Sequence, residues 1–365
     1  MSNNKPLVSI VMSNYNGELL IGQTIESVLA QTYQNWEFII FDDCSTDRSR
    51  EIILSFNDPR IKPFFADTHE HMVYGFNYGI THSSGELIAR IDSDDTWEPE
   101  KLQKQVDFFR EHPDYGACFT LVNFVDEHGK ILTEKDTERV LWWDIRNKTQ
   151  AEWLRYFYFY GCGVSHPTAM FPRSVIEKVG LYNLGYVQVQ DYDLWIRIVK
   201  HYPIHIIQEK LTNYRWFTTG TNASASSEKG IRRANFEFSQ IYCGFFDDVP
   251  DGLFIEAFGA DFTHKGTTDP DELIVERMLL LFKPVFCGAI PQLAGAQMFL
   301  RLLKDEKMRE VLRYRYNLTQ MSLYELTAKP ILFEGNSYTP TPQAIITPIK
   351  KRISPFLSWL RRRFI

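Results

Sequence analysis

Asp92, Asp94 and Asp95, with only Ser93 among them, follow directly on an apolar run of Leu87, Ile88, Ala89 and Ile91. Like charges held this close at the end of a buried strand are unfavourable unless a cation neutralises them or one takes up a proton. Oxygen-only ligands at this density suit Mg2+ or Mn2+, hard ions that also bind phosphate oxygens. The same residues would also serve as a solvated acidic turn before the helix that starts near Pro99, and taken alone they fit either description. Two earlier apolar runs also end in polar clusters. Residues 7–12 lead into Ser13, Asn14, Tyr15, Asn16 and Gly17, and residues 36–41 lead into Asp42 and Asp43. Much later, residues 188–198 open with Asp191 and Asp193. Leu194, Trp195 and Ile198 continue as a helix face, so both acids sit at a helix N-terminus, where the dipole favours carboxylates. They read as helix caps, or one of them as a working carboxylate.

Positioning those groups requires a sheet. Residues 7–12, LVSIVM, are apolar on both faces, which suits a central parallel strand. Residues 18–32 place Ile21, Ile25, Val28 and Leu29 on one helical face. A second strand over 36–43 is followed by a capping segment, Ser45-Thr46-Asp47, and a helix with Ile52, Ile53 and Phe56 inward. A strand over 61–66, a helix over 72–81 and the strand running into the acids complete β-α-β-α-β-α-β over 7–95. This alternation predicts a doubly wound, mostly parallel sheet with ligands beyond the carboxyl ends of its strands. The first turn, SNYNG, lacks GxGxxG and the GxxxxGK phosphate loop, so a nucleotide here would be held by side chains and a metal.

Further on, a helix from Pro99 buries Leu102, Val106 and Phe109, and residues 116–125 form a strand turned by Asp126-Glu127-His128-Gly129 into 130–132. The aromatic stretch 133–160 reads mainly as an amphipathic helix burying its rings. A short helix over 173–179 stops at Gly180, and 204–207 and 211–215 read as two short closing strands. The resulting division is 1–219 as a catalytic domain, 220–333 as a mainly helical region, and 334–365 as a Pro/Thr-rich linker and tail. In that tail, residues 349–365 carry an apolar stripe flanked by Lys and Arg, the pattern of a helix lying at a membrane interface. A terminal helix docked on the protein's own core would show the same stripe.

The chain has 365 residues, 44% hydrophobic and 15% aromatic, with formal net charge −6. That is too apolar for a disordered protein and argues against a nucleic-acid-binding surface. The N-terminus lacks the basic start and apolar core of a signal peptide, and no apolar run is long and uncharged enough to cross a bilayer. Scattered cysteines without CxxC spacing read as reduced thiols, placing the protein in the cytoplasm.

With these motifs in order, residues 5–216 resemble the family 2 glycosyltransferases, inverting, nucleotide-sugar-dependent enzymes with a GT-A fold. VSIVMSNYN is similar to the family's first-strand nucleotide motif, FDDCSTDRS to its VDDGSTD, and IDSDD to its metal-binding Asp-x-Asp region. GVSHPTAMFPRSVIEKVGLYN followed by QDYDLWIRI resembles its acceptor and base segment. The resemblance implies that Ser13, Asn14 and Tyr15 cradle the nucleotide and that Asp43 accepts from a base N–H. It implies that Asp94 and Asp95 hold Mn2+ or Mg2+ and contact the sugar diphosphate, and that Asp191 is the general base. Asp92, His166, Trp195 and Arg215 are further candidates for donor or acceptor contacts. Gln190 stands where the family usually has Glu, His71 appears where an arginine is often found before Asn77, and no QxxRW motif follows, which favours single-sugar transfer. The expected partners are a UDP-sugar and a glycan or lipid-linked acceptor, with no nucleic acid. A sugar-1-phosphate nucleotidyltransferase would normally carry a Gly-rich basic first loop, absent here. An inactive carbohydrate-binding protein on the same fold would not need Asp94, Asp95 and Asp191.

Overall fold

The computed structural model describes residues 5–134, 136, 145–217 and 227–328. Residues 142–143, 334–348 and 349–365, including the basic stripe, lie outside the described residues. The chain divides into two compact units, Met1–Leu154 with Cys162–Ala225, and Arg155–Gly161 with Ser226–Ile365.

In the first unit the order is β1 (Val8–Asn14), α1 (Ile21–Leu29), β2 (Trp36–Asp42), α2 (Ser49–Ser55), β3 (Ile61–Phe65), α3 (Met72–Thr81) and β4 (Leu87–Arg90). There follow β5 (Thr96–Trp97), α4 (Lys101–Glu111), β6 (Ala117–Val125), α5 (Gln150–Tyr160, counted with the second unit from Arg155 on), β7 (Met170–Pro172), α6 (Arg173–Val179), α7 (Gln190–Val199) and β8 (Ile204–Arg215). One sheet holds all eight strands in the order β3-β2-β1-β4-β7-β6-β8-β5. β3, β2, β1 and β4 are mutually parallel, as are β6 and β8, whereas β7 and β5 run antiparallel to their neighbours. The chain winds outward from β1 through β2 to β3 and then returns to β1's other side as β4, so Asn14, Asp42 and the residues after Arg90 emerge at one edge.

Every residue of β1 and β2 is buried, as strands covered on both faces must be. On one face Val8, Ile10, Met12, Phe38 and Ile40 pack with Ile21, Ile25 and Val28 of α1. On the other face α3 sits close to β1. A Cβ on Gly79 would lie 3.0 Å from Val11, and one on Gly75 would collide with the Ser13 hydroxyl. β8 corrects the expectation of two short strands. It is one strand of 12 residues whose register against β6 shifts between Thr120 and Val122. The exposed Gln208-Glu209-Lys210 is absorbed as this bulge, which kinks the strand without ending it.

In the second unit, α8 (Glu228–Cys243), α9 (Asp251–Phe258), α10 (Pro270–Leu280), α11 (Ile290–Leu302), α12 (Glu306–Tyr316) and α13 (Gln320–Thr327) follow one another. Side-chain caps start four of them: Ser227, Asp269, Asp305 and Thr319 accept from first-turn N–H groups, satisfying donors that helix starts leave free. The core is centred on Val275, Met278, Phe299 and Leu312, with Leu279, Phe282, Met298, Leu302 and Leu303 packed around it. No helix among the described residues is long and apolar enough to cross a membrane.

Candidate active site

At the ends of β1 and β2 the polar residues divide into structural and available groups. Asn14 donates to Asp42 at 2.9 Å and to Ser45 at 3.2 Å, tying the two strand ends together. Asp42 is fully buried and ion-paired with Arg50 at 2.8 Å. Asp43 is only 1% exposed, and its Oδ1 accepts from the Glu70 N–H at 2.7 Å. His69 Nδ1 lies 2.9 Å from Asp43 Oδ2, but out of line, so that oxygen has no aligned donor. Tyr15 is half-exposed, its ring 4.3 Å from that of His69. Ser13 is buried against α3. Asn16, Cys44 and His71, all non-glycine, adopt positive φ of 51°, 61° and 74° around this same edge. Such backbone costs energy and collects at ligand sites.

Beyond β4, oxygens of Asp92, Asp94 and Asp95 lie within 4.8 Å of one another. The turn is fastened from several directions. Thr24 donates its hydroxyl to the carbonyls of Ser93 at 3.0 Å and Asp95 at 2.8 Å. The Arg215 N–H donates to Asp95 Oδ1 at 2.8 Å, and its Nε donates to the Asp94 carbonyl at 2.8 Å. β5 then pairs with Thr212 and Asn213 of β8. Burial, followed by the charge of Asp92, pushes Asp94 up to about 7. Burial and then Asp94 and Asp92 push Asp95 well above the usual carboxylate range. Asp95 Oδ2 is buried without a hydrogen-bond partner. An oxygen-only cluster with an orphaned, buried carboxylate oxygen fits a hard divalent ion.

Arg90, overlooked in the sequence reading, is 2% exposed and grips Asp92 with both Nη atoms, at 2.5 and 3.2 Å. Its guanidinium lies 4.2 Å over the Phe76 ring. That ring lies 5.5 Å from His166, whose Nε2 is 2.8 Å from the Tyr182 hydroxyl. Burial, reinforced by Arg90, holds His166 well below its ordinary range, so it is neutral. On α7, Asp191 and Asp193 have separated. Asp193 is ion-paired with Arg197 at 2.7 Å, an i, i+4 helix pair, whereas Asp191 faces the Cys162 thiol, Sγ to Oδ2 3.9 Å. Burial raises Asp191's affinity for a proton; the Tyr192 N–H and Arg90 oppose this.

Three candidate ligand contacts, Trp195, Arg215 and His166, are already committed to packing or hydrogen bonds within the protein. Trp195 is fully buried, its ring against Phe119, His166 and Phe171, so it shapes the floor beneath the site. Arg215 is 4% exposed, and every guanidinium nitrogen is taken, by Asp94, Asp126, Glu127 and Gln23. It clamps the acid turn to the residues that follow β6. His166 is likewise buried and paired with Tyr182. Arg90 had one visible mark in the sequence: a lone charge in an apolar strand, two residues before an Asp and so on the same side.

The sequence profile described as Glycosyl transferase family 2 matches residues 9–180. An uncharacterised glycosyltransferase of Methanocaldococcus jannaschii is 32% identical over 216 residues, 58% of this chain and 71% of that protein. The chain belongs to glycosyltransferase family 2. A second relative, the Escherichia coli UDP-Glc:alpha-D-GlcNAc-diphosphoundecaprenol beta-1,3-glucosyltransferase WfgD, is 29% identical over 62% of this chain and 83% of its own. Of three other relatives this chain spans only 24% to 41% of the length. Among solved structures, S. aureus TarS 1-349 in complex with UDP-GlcNAc aligns with TM-score 0.50 at 15% identity, covering 87% of this chain and 89% of that one. That likeness shows the fold.

Proposed function

We propose that this glycosyltransferase moves one sugar at a time from a nucleotide-diphosphate sugar to a hydroxyl acceptor, with inversion, using Asp191 as general base. One observation carries the reading. Three acids crowd together beyond β4, one of them Asp95 with a buried oxygen that has no hydrogen-bond partner, and a separate carboxylate, Asp191, stands at the start of α7 facing a thiol. Asp94 and Asp95 would hold Mn2+ or Mg2+, which when bound offsets charge building up on a departing nucleoside diphosphate. Asp191 accepts the proton of the attacking hydroxyl. Its raised proton affinity brings it nearer the pH at which it must work. Asp43 Oδ2 accepts a ring N–H, as uracil or thymine offers, beside the face of Tyr15, with Ser13 at the back of the pocket and Asn14 bracing it. Asp92, oriented by Arg90, faces the donor or acceptor.

A UDP-sugar as donor and a lipid-linked glycan of surface polysaccharide as acceptor are supported by the name of the E. coli relative. They are also supported by the basic stripe of residues 349–365, which would keep a cytoplasmic protein at the inner face of the membrane. The deciding experiment incubates the full chain with a panel of nucleotide sugars and Mn2+. Release of nucleoside diphosphate supports transfer, pyrophosphate exchange would mark a nucleotidyltransferase, and silence across the panel would mark a binding protein. Flotation with anionic liposomes, lost at high salt and in a chain ending at Thr347, tests the membrane contact; equal flotation of both chains removes it.

A further inference from the structure

Beside Asp43, a side chain of the protein itself has the form of a nucleobase. His69 lies between β3 and α3, and its Nδ1 is 2.9 Å from Asp43 Oδ2, the carboxylate oxygen left without an aligned donor. With its proton on Nδ1 the ring donates to the Asp43 carbonyl at 3.3 Å, which leaves the contact to Oδ2 out of line. Its ring centroid is 4.3 Å from that of Tyr15, the planes tilted by 40°. A flat heteroaromatic ring with a nitrogen towards a buried carboxylate and a face towards a tyrosine is what a uracil would present there. The backbone on either side of His69 is pinned. The Ala66 N–H donates to the Asp42 carbonyl at 2.9 Å, and the Glu70 N–H to Asp43 Oδ1 at 2.7 Å. The His69 side chain is 49% exposed and that of Asp43 only 1%. The imidazole can therefore turn out into solvent without moving the loop, whereas the carboxylate stays.

The groups that face His69 are Asp43 at the end of β2, Tyr15 at the end of β1 and, in its own loop, His71, with ring centroids 6.4 Å apart. The Glu70 carboxylate accepts from the Thr68 hydroxyl at 2.9 Å, and Arg50 of α2 is turned to Asp42. Among the described residues, Asp43 is thus the acid in ion-pair range of His69. Imidazole is the side chain that gains a charge between pH 8 and 5, and a charged ring here forms an ion pair with a carboxylate shielded from water. We propose that His69 is a built-in stand-in for the nucleobase: the donor has to displace it from Asp43, and it holds on more tightly when protonated, so donor binding weakens in acid. The proposal rests on Asp43 being the nucleobase acceptor. An in-line ring N–H on Oδ2 outcompetes the misaligned neutral imidazole and competes poorly with the charged one.

The experiment compares calorimetric binding of UDP to the wild-type chain, His69→Ala and His69→Gln at about pH 8 and pH 5.5, with Mn2+ raised until a further doubling changes nothing. The diphosphate, Asp94 and Asp95 titrate alike in all three proteins, so the ratio of dissociation constants isolates His69. Both variants should bind UDP about tenfold more tightly than wild type at the lower pH, the weight of one nearby opposite charge, and the advantage should largely vanish at the higher. His69→Lys, charged throughout, should carry the penalty across the range. A merely structural role for His69 would weaken binding in the variants, at both pH values alike. A ratio that does not change with pH, or variants that bind more weakly than wild type in acid, overturn the proposal while Asp43→Asn still weakens UDP binding. Wild-type affinity in Asp43→Asn would instead remove the nucleobase reading of Asp43, and a wild-type chain that binds no UDP removes both.

Discussion

Two strand ends in this sheet finish in adjacent acids, and the protein treats them differently. After β2, Asp42 is matched by Arg50 and Asp43 by a backbone N–H, and the acids are held in place by the chain itself. After β4, Arg90 matches Asp92 alone; burial and then Asp92 push Asp94 towards protonation, and burial and then Asp94 and Asp92 push Asp95 the same way. The first end is internally matched and leaves one carboxylate oxygen, Asp43 Oδ2, without a hydrogen bond. The second is short of positive charge, which a divalent ion would supply. Acid count alone does not separate the two ends; the number of crowded acids without a basic side chain in ion-pair range does.

The comparison breaks most sharply at Asp95. Asp95→Ala should abolish Mn2+-dependent binding of UDP in calorimetry and lower turnover about 10³-fold, given that a catalytic metal supplies several kcal/mol. Unchanged metal-dependent binding would return the acids to a structural role. Next in size, Asp191→Asn should reduce kcat by about 10²–10⁴-fold, the usual cost of losing a general base, with donor affinity little altered. Asp193→Asn serves as the control and should stay near wild type. At the β2 end, Asp43→Asn should raise the donor KM about 10–100-fold, the loss of one charge-assisted hydrogen bond, and leave kcat alone. A fall in kcat with KM unchanged would move Asp43 out of the nucleobase pocket.

The smallest effect is on stability. Because Asp94 binds its proton more tightly in the folded than in the unfolded chain, its contribution is fully present below its ordinary range near pH 4 and is lost as pH rises through about 7. Metal-free protein should therefore melt at progressively lower temperature between pH 5 and 8, by a few degrees, and Mn2+ should cancel the trend. Asp94→Asn should flatten the slope.

What was legible in the sequence was contiguous in it. Strands β1, β2 and β4, helices α3 and α6, and the clusters that follow the strands are short patterns of apolar period and turn residues, readable without knowing the fold. Arg90 was also in view but hidden by its neighbours, since a charge inside an apolar run reads as an interruption. β5 has only two residues and no period to detect. Arg215 and Trp195 failed for a different reason: their partners lie far away in sequence, so a polar or aromatic residue near a motif looked available when packing had already committed it. The separation of Asp191 from Asp193 depended likewise on Arg197 and Cys162, of which the helix period could have suggested only Arg197.

The clamp on the acid turn has a consequence for the order of events during synthesis. Asp95 emerges from the ribosome 120 residues before Arg215, whose N–H it needs and whose side chain braces the preceding carbonyl. Until β8 arrives and pairs with β5, the acidic loop has Thr24 and Arg90 but lacks the brace on the Asp95 side chain, and contacts this distant in sequence form slowly. A nascent chain, or a product truncated ahead of β8, thus carries all three acids without the geometry to use them. Any ion these acids hold would have to wait until the sheet is complete.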